Sequence, residues 1–498
     1  MKKPICILLF AAAALQAQNK YELSFTVKGL KDSVCYLFKY RWESHAVVDT
    51  ALVKKGHFVF KGDQQLEKGI YFLVRQNRSM LGLDFLIDSN QTFGLATDTG
   101  SLYAGLKVNR SPLNEDFKNF VLFMSRHNRE MFEYEKELRL RKDKDSASLL
   151  AKERAIHFEA IKNYQAAYLK DHPKSYLSEI IRMQSEVSKA PEIPLAANGR
   201  KDSVWEYNYY VKSYWSGIPL NSVGTLNTNK IYYYRLKNYF EKIVLQDPDT
   251  LIRTCDWLMK QTEGCEEMHK YMGFFLTYTI DRSKIIGHDA VFVDLVNKYY
   301  KTNKADWYDD EQNKKIISRG ELLEPLLIGK ALPGMNMVDT LGAQTIQALG
   351  MDTITSSENL TKAYYANLKK IESAYMPLNK VKADFTIVIF YDVDCGHCQK
   401  EIPILKKEYD KMKADGKNIE VYAVYVHHNV SKWKKFIQDN KLNWVNVYDG
   451  VHLYDVKQRY DVYSYPVMYL LDKDKIIKSK RMNAEQLEGI IDHFSKGN

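Results

Sequence analysis

The residues whose types and spacing could do chemistry most directly are Cys395, Gly396, His397 and Cys398, which stand in consecutive positions. Two cysteines separated by two residues can close a small disulfide or open to a dithiol. They follow an apolar, β-type run at 385–391 and precede a helical pattern at 399–407. A sulfur at the start of a helix meets unpaired N–H groups and the positive end of the helix dipole, and both favour a thiolate. The thiolate is the species that attacks a disulfide. Two other readings compete, a structural disulfide or half of a zinc site. A structural zinc site asks for four ligands. The sequence offers no second Cys-x-x-Cys and no spaced histidine pair, so no metal and no cofactor is expected. Haem attachment needs a histidine directly after the second cysteine, and Gln399 stands there.

The neighbours of the pair carry open questions. A partly positive His397 imidazole would add to the dipole in stabilising a Cys395 thiolate; the plainer reading is an exposed histidine without effect. Asp394 either caps the helix or opposes the thiolate with its charge. His427 and His428 end a strand on its loop side, where they assist the site, bind a metal, or simply face solvent.

The elements that must position this motif follow from the rest of the chain. Met1, Lys2 and Lys3 open it, residues 4–15 are almost wholly apolar, and Ala17 offers a small-residue cleavage point. This reads as a secretory signal over residues 1–17, too short to span a bilayer as a helix. No cysteine follows the cut directly, which argues against a lipoprotein anchor, and no later segment suggests a membrane span. The formal charge of +10 is spread among acids, a solvated surface and not a nucleic-acid footprint. Of six cysteines, Cys6 leaves with the signal; the remaining five, Cys35, Cys255, Cys265, Cys395 and Cys398, are odd in number and only one pair has catalytic spacing, so the chain does not read as a disulfide-stapled scaffold.

Residues 18–112 alternate apolar and polar in short runs punctuated by Gly56, Gly62, Gly69 and Gly82, which predicts an antiparallel β-sandwich with Cys35 buried in a strand. Residues 113–324 carry helical spacing (Phe117, Phe120, Val121, Met124) and a belt of aromatics at 205–234, which predicts an α-helical middle domain. That belt reads as core, or as a surface for an apolar partner. Cys255 and Cys265 form a structural bond only if a turn near Gly264 brings them together; otherwise they are two free thiols. Residues 325–498 read as α/β: an opening hairpin with Leu341 and Gly342 in its turn, a helix over 359–374, the strand before the cysteine motif, its helix, and further strands and helices capped by Ser431 and Asn483.

The C-terminal stretch resembles the TlpA/ResA-type branch of the thioredoxin superfamily. The segments that carry the resemblance are 329–334 (Gly-Lys-Ala-Leu-Pro-Gly), 390–398 with the two cysteines, Glu401 to Pro403, and 463–472 around Pro466. The whole layout is similar to multidomain thioredoxin-like proteins of Bacteroidetes. The resemblance implies a C-terminal thioredoxin-like fold, Cys395 as the exposed attacking cysteine and Cys398 as the buried resolving one. It also implies a kinking Pro403, a cis Pro466 facing the site, and a proton-handling role for Glu401. Two departures stand out. Tyr391 replaces a frequent tryptophan, and Ile389 replaces the buried acid that thioredoxin places six residues before the first cysteine. A long segment before the 385–391 strand implies an extra helix or lid. The Gly-His dipeptide is that of disulfide isomerases, whose potential is about −180 mV against about −270 mV for thioredoxin, and it suggests an intermediate poise.

The function this implies is an exported, periplasmic thiol–disulfide oxidoreductase, a reductase or isomerase of envelope proteins. It would use the Cys395–Cys398 pair through a mixed disulfide, with His397, Glu401 and Pro466 in support. Its partners would be thiols and disulfides of exported proteins and a membrane or periplasmic electron donor. The alternative is a client- or envelope-binding adaptor whose thioredoxin-like domain turns over little.

Overall fold

The computed structural model describes residues 21–496 apart from 142–144, 188–189, 191 and 452–454. The expected signal segment lies outside the described residues. The chain forms two compact units. One runs to Leu245 and takes in Trp257–Met272; the other comprises Gln246–Asp256 and Gly273–Asn498.

The first unit begins with eight strands: β1 (Tyr21–Lys28), β2 (Val34–Arg41), β3 (Ser44–Leu52), β4 (His57–Gly62), β5 (Gly69–Arg75), β6 (Met80–Ile87), β7 (Thr92–Asp98) and β8 (Lys107–Asn109). They make two four-stranded sheets, β4-β1-β7-β8 and β3-β2-β5-β6. Strand β1 shows why. Every second residue, from Tyr21 to Val27, is buried and the residues between are not, the period that a sheet with one wet face selects. Leu23, Phe25, Cys35, Leu37 and Phe85 meet in one core between the sheets. One pairing departs from the purely antiparallel sandwich: β1 and β7 run parallel. The chain visits the other sheet in β5 and β6 and returns beside β1 in the same direction. Gly56 is fixed in its turn by φ +77° and by the Val27 carbonyl, which a Cβ would meet at 2.4 Å.

Two long helices follow, α1 (Pro112–Arg141) and α2 (Ser146–Asp171). Of the aromatic belt, Tyr214, Trp215 and Tyr232 are buried, and Trp215 and Tyr214 lie 5.3 and 5.1 Å from Tyr239 beyond it, centroid to centroid. For these rings the core reading holds; Trp205, Tyr210 and Tyr234 of the same belt are exposed. Cys255 and Cys265 are free thiols.

The second unit holds a seven-stranded sheet: β9 (Asn336–Asp339), β10 (Tyr375–Pro377), β11 (Phe385–Tyr391), β12 (Ile419–Tyr425), β13 (Val445–Tyr448), β14 (Val467–Asp472) and β15 (Ile477–Lys480). Their order is β10-β9-β13-β12-β11-β14-β15. Strand β11 pairs parallel with β12 and antiparallel with β14. It is buried almost throughout because both faces of the sheet are covered. Ile387, Ile389 and Tyr391 point into one core with the helix Gly396–Ala414, and Val388 and Phe390 into another with Leu326 and Tyr460. That alternation is why the strand reads as a continuous apolar run.

Three expectations for this unit are corrected. The opening hairpin is a strand followed by a helix. Asp339 accepts from the N–H groups of Leu341 and Gly342, and the chain turns into the helix Gly342–Ala348. A Cβ on Gly342 would lie 2.3 Å from the Ala374 carbonyl, so the glycine serves this close approach. The helix over 359–374 is two, Ser357–Ala366 and Leu368–Ser373, broken at Asn367. The cap of the helix Val430–Asp439 is Asn429, whose side chain accepts from Lys432 N–H, and not Ser431. Asn483 does cap, in a reciprocal capping box with Gln486.

Candidate active site

The cysteine motif sits where the strand and helix pattern puts it. Strand β11 ends at Tyr391, a tight turn follows in which Cys395 N–H donates to the Asp392 carbonyl at 3.2 Å, and the helix Gly396–Ala414 begins with Cys395 as its N-cap residue. Gln399 Nε2 donates to the Val393 carbonyl at 2.9 Å and ties the turn to the helix. The buried stripe of that helix, Cys398, Ile402, Leu405, Tyr409 and Met412, recurs at intervals of three and four, so one face enters the core. Cys395, three residues earlier at the helix end, stays half exposed while Cys398 is fully buried. Pro403 lies within the helix, where it has no N–H to offer the preceding turn.

The second half of the site comes from the loop before β14. The Tyr465–Pro466 peptide bond is cis, and the Cys395 thiol donates to the Tyr465 carbonyl at 3.7 Å, within the reach of a sulfur hydrogen bond. Phe390 and Val467 are register partners, so both loops leave the sheet at the same end. Both cysteines are free thiols. Burial pushes the Cys398 thiol up to about 12; the Cys395 thiol beside it adds to the rise, and the backbone at Asp392 opposes it.

The structure answers several questions about the neighbours. Asp394 does not cap the helix, since no side chain does; its carboxylate is paired with Lys432 Nζ at 2.9 and 3.1 Å. Ile389 and Tyr391 share the core of Cys398, and the Tyr391 hydroxyl accepts from Trp433 Nε1 at 2.9 Å. That apolar contact offers Cys398 no acid. Glu401 accepts from Ala484 N–H at 2.7 Å, which joins the helix of the cysteine motif to the start of the C-terminal helical segment. His397 is exposed. The inserted helices pack Leu360, Ala363 and Tyr364 against the core that holds Cys398.

Sequence reasoning left His427 undecided, and the structure brings it to the site. Its Nε2 lies 3.4 Å from the Asp392 carboxylate and its ring 6.3 Å from that of Tyr465. Beside it is a cavity of about 300 Å³ lined by Tyr425, His427, His428, Asp449, Asp455 and Lys457 among others. The Lys457 ammonium sits 5.9 Å from the Tyr465 ring. The only signal in the sequence was the strand end at 425–426.

Residues 361–480 match the AhpC/TSA family, and residues 21–117 match a domain of unknown function, DUF4369. The sporulation thiol-disulfide oxidoreductase A of Bacillus subtilis (strain 168) is 32% identical over 111 residues, 22% of this chain and 66% of that protein. A domain of a possible thiol-disulfide isomerase from Cytophaga hutchinsonii is 33% identical, over 35% of this chain and 96% of that one, with a TM-score of 0.27. The C-terminal part of the chain is thus similar to thioredoxin-like thiol–disulfide oxidoreductases. A thioredoxin-like protein from Bacteroides caccae aligns over 61% of this chain and 99% of its own, at 16% identity and a TM-score of 0.43. The chain spans just under two thirds of the Bacillus protein's length. No helix among the described residues is long and apolar enough to cross a membrane.

Proposed function

We propose that this protein is an exported thiol–disulfide oxidoreductase, a reductase or isomerase of envelope proteins, with Cys395 as its attacking cysteine and Cys398 as its resolving one. The observation that carries the reading is the asymmetry of the pair. Cys395 is half exposed at a helix N-terminus and faces the carbonyl before cis-Pro466; Cys398 is buried with its thiol held protonated. In the reducing direction the Cys395 thiolate attacks one sulfur of a client disulfide and the other client sulfur leaves as a thiolate. Cys398 then loses its proton and attacks Cys395 Sγ, which releases the second client thiolate. Two electrons pass to the client and the pair ends as a disulfide, to be reduced again by a dithiol donor of the envelope. Run backwards, the same steps oxidise a client dithiol. The backbone edge beside Pro466 and the cavity next to His427 are the surface on which a client segment would lie. The residue set 1–17, 18–112, 113–324 and 325–498 remains the proposed division into signal, β, helical and catalytic segments, and export rests on the opening segment. His397 and Pro466 act in support. For Glu401, the hydrogen bond to Ala484 favours a positioning role for the redox helix alongside any proton handling.

Cys398→Ala tests this. The variant should accumulate mixed disulfides on Cys395 in cells, reducible by dithiothreitol and absent from Cys395→Ala/Cys398→Ala, and it should lose insulin reduction. Wild-type protein without insulin reduction, together with no trapped client, would sink the enzyme reading and leave the binding adaptor.

A further inference from the structure

Helix α2 has 26 residues, and His157 is its only fully buried one. Its partner across the α1–α2 hairpin is His127, also buried. Beyond Phe120, His127 and Leu138 are the only fully buried residues of α1 among those described. Apart from the half-buried stack of Phe123 on Tyr164 at 4.2 Å, little apolar surface is sealed between the two helices. What occupies the middle of the hairpin is a pair of imidazoles whose Nδ1 atoms face each other at 2.7 Å. The Glu130 carboxylate, one turn along α1 from His127, places Oε2 3.9 Å from each of those two nitrogens. The nearest point equidistant from the three atoms lies in their plane, ~2.1 Å from each, the distance at which zinc is held by imidazole nitrogen and carboxylate oxygen; a tetrahedral ion there would push the two nitrogens somewhat apart.

We propose that His127, Glu130 and His157 form a binding site for a zinc-like divalent transition-metal cation that clamps α1 to α2. Two imidazoles and a carboxylate suit such a cation and not calcium or magnesium, which take oxygen ligands. The three ligands leave a fourth position for water or a further donor, and Glu130 is half exposed, which gives the ion a way in. A second observation supports the set. The outer nitrogen of His157, Nε2, is buried without a hydrogen-bond partner, and the Glu153 carboxylate stands 3.4 Å from it, close but out of line. A carboxylate behind a metal-bound imidazole is the arrangement that fixes its tautomer. On α1 the arrangement has a cost. Arg126 donates towards His127 Nε2 at 3.4 Å, which keeps the His127 proton on Nδ1. Binding moves that proton to Nε2, so the exposed Arg126 side chain must turn to solvent. In the sequence, the signal was His127 three residues before Glu130 and Glu153 four before His157, each pair on one face of a helix.

The test uses the full chain carrying Cys395→Ser and Cys398→Ser, so that the redox thiols cannot take the metal. Zn²⁺ is titrated against a chromophoric chelator, and Co²⁺ is used as a spectroscopic probe. The expected result is one Zn²⁺ per chain and a Co²⁺ spectrum without thiolate charge transfer. His157→Asn should abolish binding. Glu130→Gln, an exposed change that leaves the fold intact, should weaken it by at least about tenfold, the lower bound seen when even an outer-shell partner is lost. Absence of stoichiometric Zn²⁺ would overturn the proposal. So would an affinity that Glu130→Gln does not move, which would leave the histidines a hydrogen-bonded packing pair.

Discussion

If Cys398 is the resolving cysteine, the pH dependence of its step is set by its burial. The thiol is raised from an ordinary value of 9.0 to about 12. At pH 7 an ordinary thiol would be about 1% ionised, and at this value only about one part in 10⁵ is, a thousandfold difference. Part of the rise comes from the free Cys395 thiol and disappears once Cys395 is in a mixed disulfide. Burial is the largest cause and remains. The resolving rate should therefore climb about tenfold per pH unit from pH 7 to about pH 10 without a plateau, because the attacking species is the thiolate. Proximity raises the absolute rate by an unknown effective molarity, so the slope is the diagnostic quantity. Reduced protein mixed with Ellman's reagent in a stopped-flow instrument releases one chromophore when Cys395 attacks and a second when Cys398 resolves. The second phase, plotted as log rate against pH, should be a line of unit slope. Levelling off between pH 9 and pH 10 would mean that Cys398 ionises as an ordinary exposed thiol, and the burial argument would fail.

Two stability predictions follow from buried polar pairs in the same unit. Tyr391→Phe leaves the Trp433 indole N–H without its acceptor in the core and should lower unfolding stability by ~1–3 kcal/mol in urea titration, with the cysteines still reactive; an unchanged midpoint would mean that the indole finds another partner. Asp289→Ala strips the buried Lys480 ammonium of its ion-pair partner and leaves it hydrogen-bonded to the Leu326 carbonyl at 2.6 Å, with Asp461 as a more distant counter-charge. The loss should be roughly 3–5 kcal/mol, largely recovered when Lys480→Met is added. A single variant as stable as the parent would refute the pairing.

The unit that holds the cysteine motif was legible where local rules apply. The apolar run at 385–391, the cysteine spacing and the helical stripe behind it are short-range patterns, and each element formed where its period placed it. Pro466 was found through resemblance, since nothing in its neighbours dictates a cis bond. The errors have local causes too. Asp339 can end a hairpin strand or cap a helix start, and here its carboxylate accepts from the Leu341 and Gly342 N–H groups where the helix begins. Asn429 outcompetes Ser431 as a cap because the helix begins two residues earlier. What stayed hidden depends on partners far along the chain: His427 beside Asp392, Lys432 on Asp394, and the meeting of His127 with His157. Periodicity places each of these on a face but does not say which face it will meet.

The register between β11 and β14 also says where this protein's length is free to change. Phe390 opposite Val467 makes the sheet ladder a ruler between the cysteine turn and the Tyr465 carbonyl. Residues inserted between β9 and β10, where the sheet connection already detours through Gly342–Ala348 and two further helices, leave that ruler untouched. Deleting one residue from β14 would carry every following side chain to the opposite face and draw the proline loop out of step with Cys395. Natural or engineered variants of this domain should therefore differ by whole helices in the first place and by nothing in the second.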